Sequence, residues 1–423
     1  MKRVLISFFV AMVLMGSNIP SANAAESINS NTVSNTSSSS TAEDANTIKI
    51  SLVNIQDIIL EYNQQAKIYD NTRDNTKLSY DIAKDKYDTE ESDYNTAVDN
   101  YNTELSDYNT ALAKYNEDPA NNAKPTAPTA VDKTALNTAK DSLDSARNDL
   151  RKANITYNNS LQNLVKTAQS DYISYVLGDL PNKEYNTANV DLLKKQADIA
   201  KVQYDSGFLS KNDYTTAQLN YTTALNASSK TNDAEENDKT KLLYDLGLSS
   251  GENVTFDTNL DQDLNDVSTI NYNNDLTEMF NNNLTLQSDN ISLEQASDDK
   301  DNYEDDNDDS SDEYDNKDEQ YDNSLKNEQS QLVLDKNNAE KDFKTKYDAL
   351  MNSYAAMKNG ANSLSQQKDQ YNVKVIQYNY GFASQQDVNT ANVDSIKESQ
   401  SYQSDKSAFY QAYLSYIEAK EGY

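Results

Sequence analysis

Gln203-Tyr204-Asp205-Ser206-Gly207-Phe208-Leu209-Ser210-Lys211-Asn212-Asp213-Tyr214-Thr215-Thr216-Ala217 returns 174 residues later, without a gap, as Gln377-Tyr378-Asn379-Tyr380-Gly381-Phe382-Ala383-Ser384-Gln385-Gln386-Asp387-Val388-Asn389-Thr390-Ala391. Eight of the fifteen positions are identical, which marks the chain as a tandem duplication. Each copy carries the chemistry of a tight turn between two helices. Gly207 and Gly381 stand where a first helix must stop, because glycine accepts the left-handed conformation that closes a C-terminus. Ser210 and Ser384 follow as N-caps of the returning helix. Asp213 and Asp387, three residues further on, complete a capping box and favour the positive end of the helix dipole. Leu209 with Tyr214, and more weakly Ala383 with Val388, would staple the entry.

Working outward, Tyr80, Tyr87, Tyr94, Tyr101, Tyr108 and Tyr115 recur every seven residues, with Val98, Leu105 and Leu112 four residues after three of them. That is a coiled-coil seam. Tyr69 to Tyr80 is eleven residues, a stutter that locally straightens the supercoil. A second seam runs through Leu136, Leu143, Leu150, Tyr157 and Leu164, with Ala139, Ala146 and Ala153 three residues after the first three. Between the seams, Glu117 to Lys133 contains Pro119, Pro125 and Pro128, which a helix interior does not tolerate. The two seams therefore predict a long antiparallel helical hairpin. Tyrosine at seam positions has two readings: core packing in a chain rich in Asn, Asp, Lys and Tyr, or hydroxyls reaching a hydrated tunnel or partner.

Composition narrows the chemistry. The 423 residues include 30 Tyr but no His, Cys or Trp, which excludes Ser-His-Asp and Cys-His catalysis, imidazole or thiolate metal sites and disulfides. A formal charge of −32 opposes nucleic-acid binding, and 8 Gly with 5 Pro are too few for a many-turned all-β domain. No cofactor and no metal site is expected. Residues 1–24 read as a secretory signal: Lys2 and Arg3, an apolar run from Val4 to Met15, and the small-residue site Ala22-Asn23-Ala24. Residues 25–47 are a Ser/Thr/Asn spacer of disordered composition. The remainder divides into a first repeat over 48–251, a linker over 252–263 and a second repeat over 264–423.

These residues resemble the TolC-like outer-membrane efflux proteins, tandem duplicates whose halves each carry a Tyr-x-x-Gly-hydrophobic-x-Ser-x-x-Asp turn and a helix ending in Leu-Leu-x-x-Leu-Gly. Here the turns are Tyr204, Gly207, Phe208, Ser210, Asp213 and Tyr378, Gly381, Phe382, Ser384, Asp387, and the first helix ends in Leu242-Leu243-Tyr244-Asp245-Leu246-Gly247. The second repeat opens with Asn281-Asn282-Asn283-Leu284, where an Asn replaces the family's usual Asn-Pro. The resemblance implies a homotrimer forming a helical tunnel, which docks on a periplasmic-adaptor-like (membrane fusion) protein of an exporter. It makes Gly207, Phe208, Leu209, Ser210 and Gly381, Phe382, Ala383, Ser384 the adaptor contacts, and places the chain in the cell envelope.

The chain departs from that pattern where the family inserts barrel strands between its long helices. In the first half that place holds Glu117 to Lys133. In the second it holds Asp298 to Asp322, with fourteen Asp or Glu against Lys300 and Lys317. Neither alternates apolar with polar as a lipid-facing strand must. The expected fold is thus all-α: TolC-like coiled-coil hairpins in two repeats, without a membrane barrel or direct insertion into a bilayer. The expected protein is extracellular or wall-associated, with the outer membrane as the family's own location. Tyr303, Tyr314 and Tyr321, spaced eleven and seven, predict a helix through the acidic segment. The Asp-rich segment lacks the glycine of a calcium loop. The competing function is that of a secreted coiled-coil spacer with no transport role.

Overall fold

The computed structural model describes residues 47–260, 266–306 and 312–423. The signal segment, the spacer up to residue 46, residues 261–263 of the linker, 264–265 at the start of the second repeat and 307–311 of the acidic segment lie outside the described residues. In chain order the elements are β1 (Ile48–Ile50), α1 (Ile55–Tyr62), α2 (Gln64–Glu117), α3 (Thr134–Ser174), a π-helical turn (Tyr175–Asp179), α4 (Leu180–Asp205), α5 (Lys211–Asp245), β2 (Val254–Phe256), α6 (Tyr272–Asn282), α7 (Leu284–Asp306), α8 (Asp312–Asn379) and α9 (Gln385–Lys420). The chain is helical hairpins, as the seams and turns require. The strands were not foreseen: β1 and β2 form a parallel pair, with Ile48 opposite Val254 and Ile50 opposite Phe256. At three residues each they are too short to show a period of two.

The core sits midway along the molecule, where both halves meet. Ile50, Ile55 and Ile59 from the start of the chain pack with Tyr172 and Ile173 of α3, Leu242, Leu243 and Leu246 at the end of α5, and Phe409, Tyr410 and Tyr416 of α9. Each is almost fully buried, and such a side chain contributes about 1.5–3 kcal/mol relative to exposure. Aromatic contacts fill each side of this core: Phe256 of the linker lies 4.8 Å from Tyr175 in the first half, and Phe343 of α8 stacks on Tyr416 of α9 at 5.0 Å in the second. Two buried carboxylates are paired the same way. Tyr416 donates to Asp275 at 2.7 Å with Lys420 at 3.0 Å, while Tyr175 donates to Glu235 at 2.8 Å with Lys183 also at 2.8 Å. Burial and the adjacent carboxylate raise the pKa of both phenols, so they stay protonated donors.

Each half enters its outward hairpin through the same joint. Asn63 caps α2, its Oδ1 accepting from Gln65 and Ala66 N–H, and its Nδ2 donates to the Asp245 carbonyl at 2.8 Å. In the second half Asn283 accepts from Leu286 N–H, Asn282 donates to the Lys420 carbonyl, and Leu284 N–H donates to the Gly422 carbonyl. Gly247 and Gly422, both at positive φ, press against the backbone at residues 62–63 and 282–283. A Cβ on Gly247 would lie 2.5 Å from Asn63 Cα, so only glycine fits.

The outward hairpins differ. α2 is 54 residues, about 81 Å, whereas α7 is 23 residues, about 35 Å. The Arg73 guanidinium lies 4.5 Å over the Tyr157 ring, and Asp144 of α3 acts electrostatically on Tyr87. This register sets Thr134, the first residue of α3, level with about residue 96 of α2, leaving about 30 Å of α2 beyond α3. The two seams therefore do not pair along their whole length. The non-helical segment before α3 lies against this outer part of α2, with Asn122 donating to the Lys114 carbonyl. Pro125, Pro128 and Val131, three apart in extended chain, are half-buried, as are Tyr101, Leu105, Tyr108, Leu112 and Tyr115. Three-residue spacing puts one face of a polyproline-like segment on one side, which suits a tyrosine stripe.

The acidic segment enters both α7 and α8. Tyr303 on α7 stacks at 5.3 Å on Tyr314 and lies 5.1 Å from Tyr321 on α8. The spacing of eleven therefore runs from one helix to the next and is not a stutter within one. Lys300 Nζ sits among Glu304, Asp318 and Asp322 at 2.5, 2.7 and 3.2 Å, and those carboxylates raise its pKa. Arg151 of α3 pairs with Glu294 of α7 at 2.6 Å, so the short hairpin lies along α3. Neither barrel position contains a strand among the described residues.

Candidate functional site

The two repeated turns lie at one end of the molecule. α9 runs antiparallel to α3 and α4, because Gln411 donates to the Ser170 carbonyl at 3.0 Å and Gln400 to Asn182 Oδ1 at 3.1 Å. The end of α4 and the start of α9 therefore point the same way, opposite to the outward hairpins.

Both turns are Schellman motifs built from their own sequence. Phe208 N–H donates to the Gln203 carbonyl at 2.8 Å and Gly207 N–H to the Tyr204 carbonyl at 2.9 Å, with Gly207 at φ 78°. The second copy repeats this with Phe382 to Gln377 at 2.7 Å and Gly381 to Tyr378 at 2.9 Å, with Gly381 at φ 79°. No atom lies within 4 Å of a Cβ built on either glycine, so the backbone conformation alone requires glycine there.

The returning helices are capped by the predicted serines. Ser210 Oγ accepts from Asp213 N–H at 3.1 Å and donates to the Asp213 carboxylate at 2.7 Å. In the second copy Asp387 also accepts from Ser384 N–H at 2.8 Å, which closes the box in both directions. These hydrogen bonds hold the Asp387 carboxyl below the usual carboxylate range. Tyr204 and Tyr214 stack at 5.1 Å and brace the first turn; Val388, at the position matching Tyr214, is buried.

The residue after each turn glycine separates these motifs from the others. Gly247 and Gly422 close α5 and α9 with the same pair of backbone hydrogen bonds. A Schellman motif commonly folds its following apolar residue back onto the helix, and Leu248, after Gly247, is buried in this way. Phe208 and Phe382 instead stand 86% and 84% exposed, with Tyr380 beside the second at 75%. Leu209 and Ala383 are partly covered, and Ser210 and Ser384 are exposed. Rigid turns thus present aromatic rings to solvent at one end of the molecule. Turn chemistry in the sequence located them, but nothing in the sequence distinguished an exposed phenylalanine from a buried one.

Among the described residues no cluster of side chains is arranged to hold a metal ion, and no helix is long and apolar enough to cross a membrane. No protein-family model matches the sequence, and no curated protein does. Solved structures are similar in fold. CusC, described as forming a transmembrane channel, has a TM-score of 0.57 at 10% identity over 90% of this chain and 95% of its own. A membrane protein from Pseudomonas aeruginosa has a TM-score of 0.56 at 10% identity over 89% of this chain and 92% of its own. The CmeC outer membrane channel of Campylobacter jejuni has a TM-score of 0.53 at 11% identity over 88% of this chain and 85% of its own. The chain has the TolC-like helical-tunnel fold of these outer-membrane channels, with helical hairpins in place of a closed barrel among its described residues.

Proposed function

We propose that this chain is the duct component of an efflux system, a non-catalytic transport protein that assembles as a homotrimer. It docks on a membrane-fusion-type adaptor through the turns at Gly207-Phe208-Leu209-Ser210 and Gly381-Phe382-Ala383-Ser384. The observation that carries the reading is the exposure of Phe208 and Phe382, at the one position where the same motif elsewhere in the chain buries an apolar residue. Burying two such rings against a partner recovers about 1.5–3 kcal/mol each, on turns already rigid before contact. The likeness to outer-membrane channels supports a duct in the cell envelope, reached by way of the N-terminal signal. The acidic hairpin and the proline segment at the barrel positions support an extracellular or wall-associated duct without bilayer insertion of this chain. Asp213 and Asp387 serve the turns by capping and make no contact with the adaptor.

A photo-crosslinking residue placed at 208 or 382 in the producing cell tests this. Crosslinks from both positions to a single hairpin-bearing envelope protein are expected, with none from a matching probe at exposed Val333 on α8. Absence of a shared partner at both turns, with the chain exported and folded, would favour the spacer function instead.

A further inference from the structure

The path from the core to the first turn is interrupted, whereas the path to the second is not. Helix α8 crosses the core and continues toward its turn without a break, but α3 passes into α4 through the π-helical turn Tyr175–Asp179, which contains Gly178. A π turn interrupts the regular hydrogen-bond ladder and is a recognised place for a helix to kink, and Pro181 just beyond it lacks the N–H that would restore the ladder. Nothing lies within 4 Å of a Cβ built on Gly178, so the glycine is not held there by crowding.

Charged groups from three directions meet this turn. Asp171 of α3 and Asp245 of α5 share Lys241, which contacts both carboxylates. About two turns further along, Asp179 faces Asp238 and Glu235 of α5, with Glu235 held by Tyr175 and Lys183. Glu236 and Lys239 lie on the same stretch of α5 and act on Tyr175 and Glu235 respectively. On α9, the stretch from Gln400 to Gln411 runs alongside, and its charged residues are Asp405, which lies against Gly360 of α8, and the buried Lys406. Carboxylates thus outnumber the cations that bridge α5 to the π turn. The second arm has no comparable break.

We propose that the π turn is a proton-controlled hinge, which holds the α4–α5 arm firmly against the core when its carboxyls are protonated and releases it as they ionise. Burial first, then Asp238 and Glu235, raise Asp179 from 3.8 to about 6; burial and the Asp171 contact raise Asp245 to about 6 against the opposing pull of Lys241. A carboxyl raised in the packed state favours packing most fully below its ordinary pKa, and that advantage is lost as pH climbs toward the raised value. The window therefore runs from about 4 to about 6. The first turn becomes mobile relative to the second above that range, which goes beyond docking and does not depend on it.

Hydrogen exchange of the full chain at about pH 4.5 and about pH 7.5, each corrected for intrinsic exchange rates, reads this directly. Protection of α4–α5 amides is expected to fall at least fivefold between the two, starting at Tyr175, while α3 up to Ser174 and the α8–α9 arm change less than twofold. The double variant Asp179→Asn and Asp245→Asn keeps the low-pH protection at both values. An equal response in the two arms, or an undiminished response in the double variant with its helix content intact, overturns the hinge.

Discussion

The two ends of the molecule have diverged to very different degrees. At one end, two turns separated by 174 residues agree in glycine, capping serine, acidic N3 residue and exposed phenylalanine, and their glycine φ values are 78° and 79°. At the other end, one hairpin reaches about 81 Å and returns through a proline-bearing segment, while its counterpart reaches about 35 Å and carries carboxylates along the outer ends of both its helices. The joints in between, at Asn63 with Gly247 and Asn282–Asn283 with Gly422, agree almost as well as the turns. A helical hairpin extends or shortens by whole turns without disturbing the core. A turn closed by its own backbone and capping hydrogen bonds has no such freedom.

The joints carry the largest expected effect. Gly247→Ala and Gly422→Ala each add positive-φ strain to a collision with backbone, and should cost about 3 kcal/mol or more. Gly207→Ala and Gly381→Ala meet only the strain and should cost about 1–2 kcal/mol. Thermal unfolding of the four variants gives the ranking, and equal losses would break the distinction between joint and turn.

Next in size is Tyr416→Phe, which leaves buried Asp275 short of a donor and should cost about 1–3 kcal/mol by denaturant unfolding. Ser384→Ala should lose about 1 kcal/mol, and Ser210→Ala no more than that, because only the second box is closed from both sides. The smallest change in stability belongs to the residues proposed to matter most for function. Phe208→Ala and Phe382→Ala should each stay within about 0.5 kcal/mol of the parent chain while crosslinking to the adaptor from a probe at the other turn is weakened. A large loss of stability at either would mean that the ring packs against its own chain.

The turns were legible in the sequence because every group that shapes them lies within about ten residues: helix stop, cap, and acidic partner are local chemistry. The helices were legible as periodic stripes, but a stripe names a face and not its partner. That is why the outer tyrosines of α2 lie level with the proline segment rather than with α3, and why Tyr303 and Tyr314 proved to face each other across a hairpin. The β1–β2 pair joins residues about two hundred apart with three positions each, too few for any pattern. The π turn is marked in the sequence only by Gly178 and by Pro181 just beyond it, whose missing N–H breaks the regular helical ladder, and neither residue names the kind of break. Exposure of Phe208 and Phe382 was hidden for a related reason: an apolar residue after a Schellman glycine ordinarily packs inward, and only the surroundings of the turn decide otherwise.

A duct formed by this fold requires several copies, since a single chain supplies only a few hairpins of its wall. Light scattering of the exported chain in solution, across a wide range of concentration, is the most direct test. A mass of three chains is the predicted result, and a monomer at every concentration would contradict the duct.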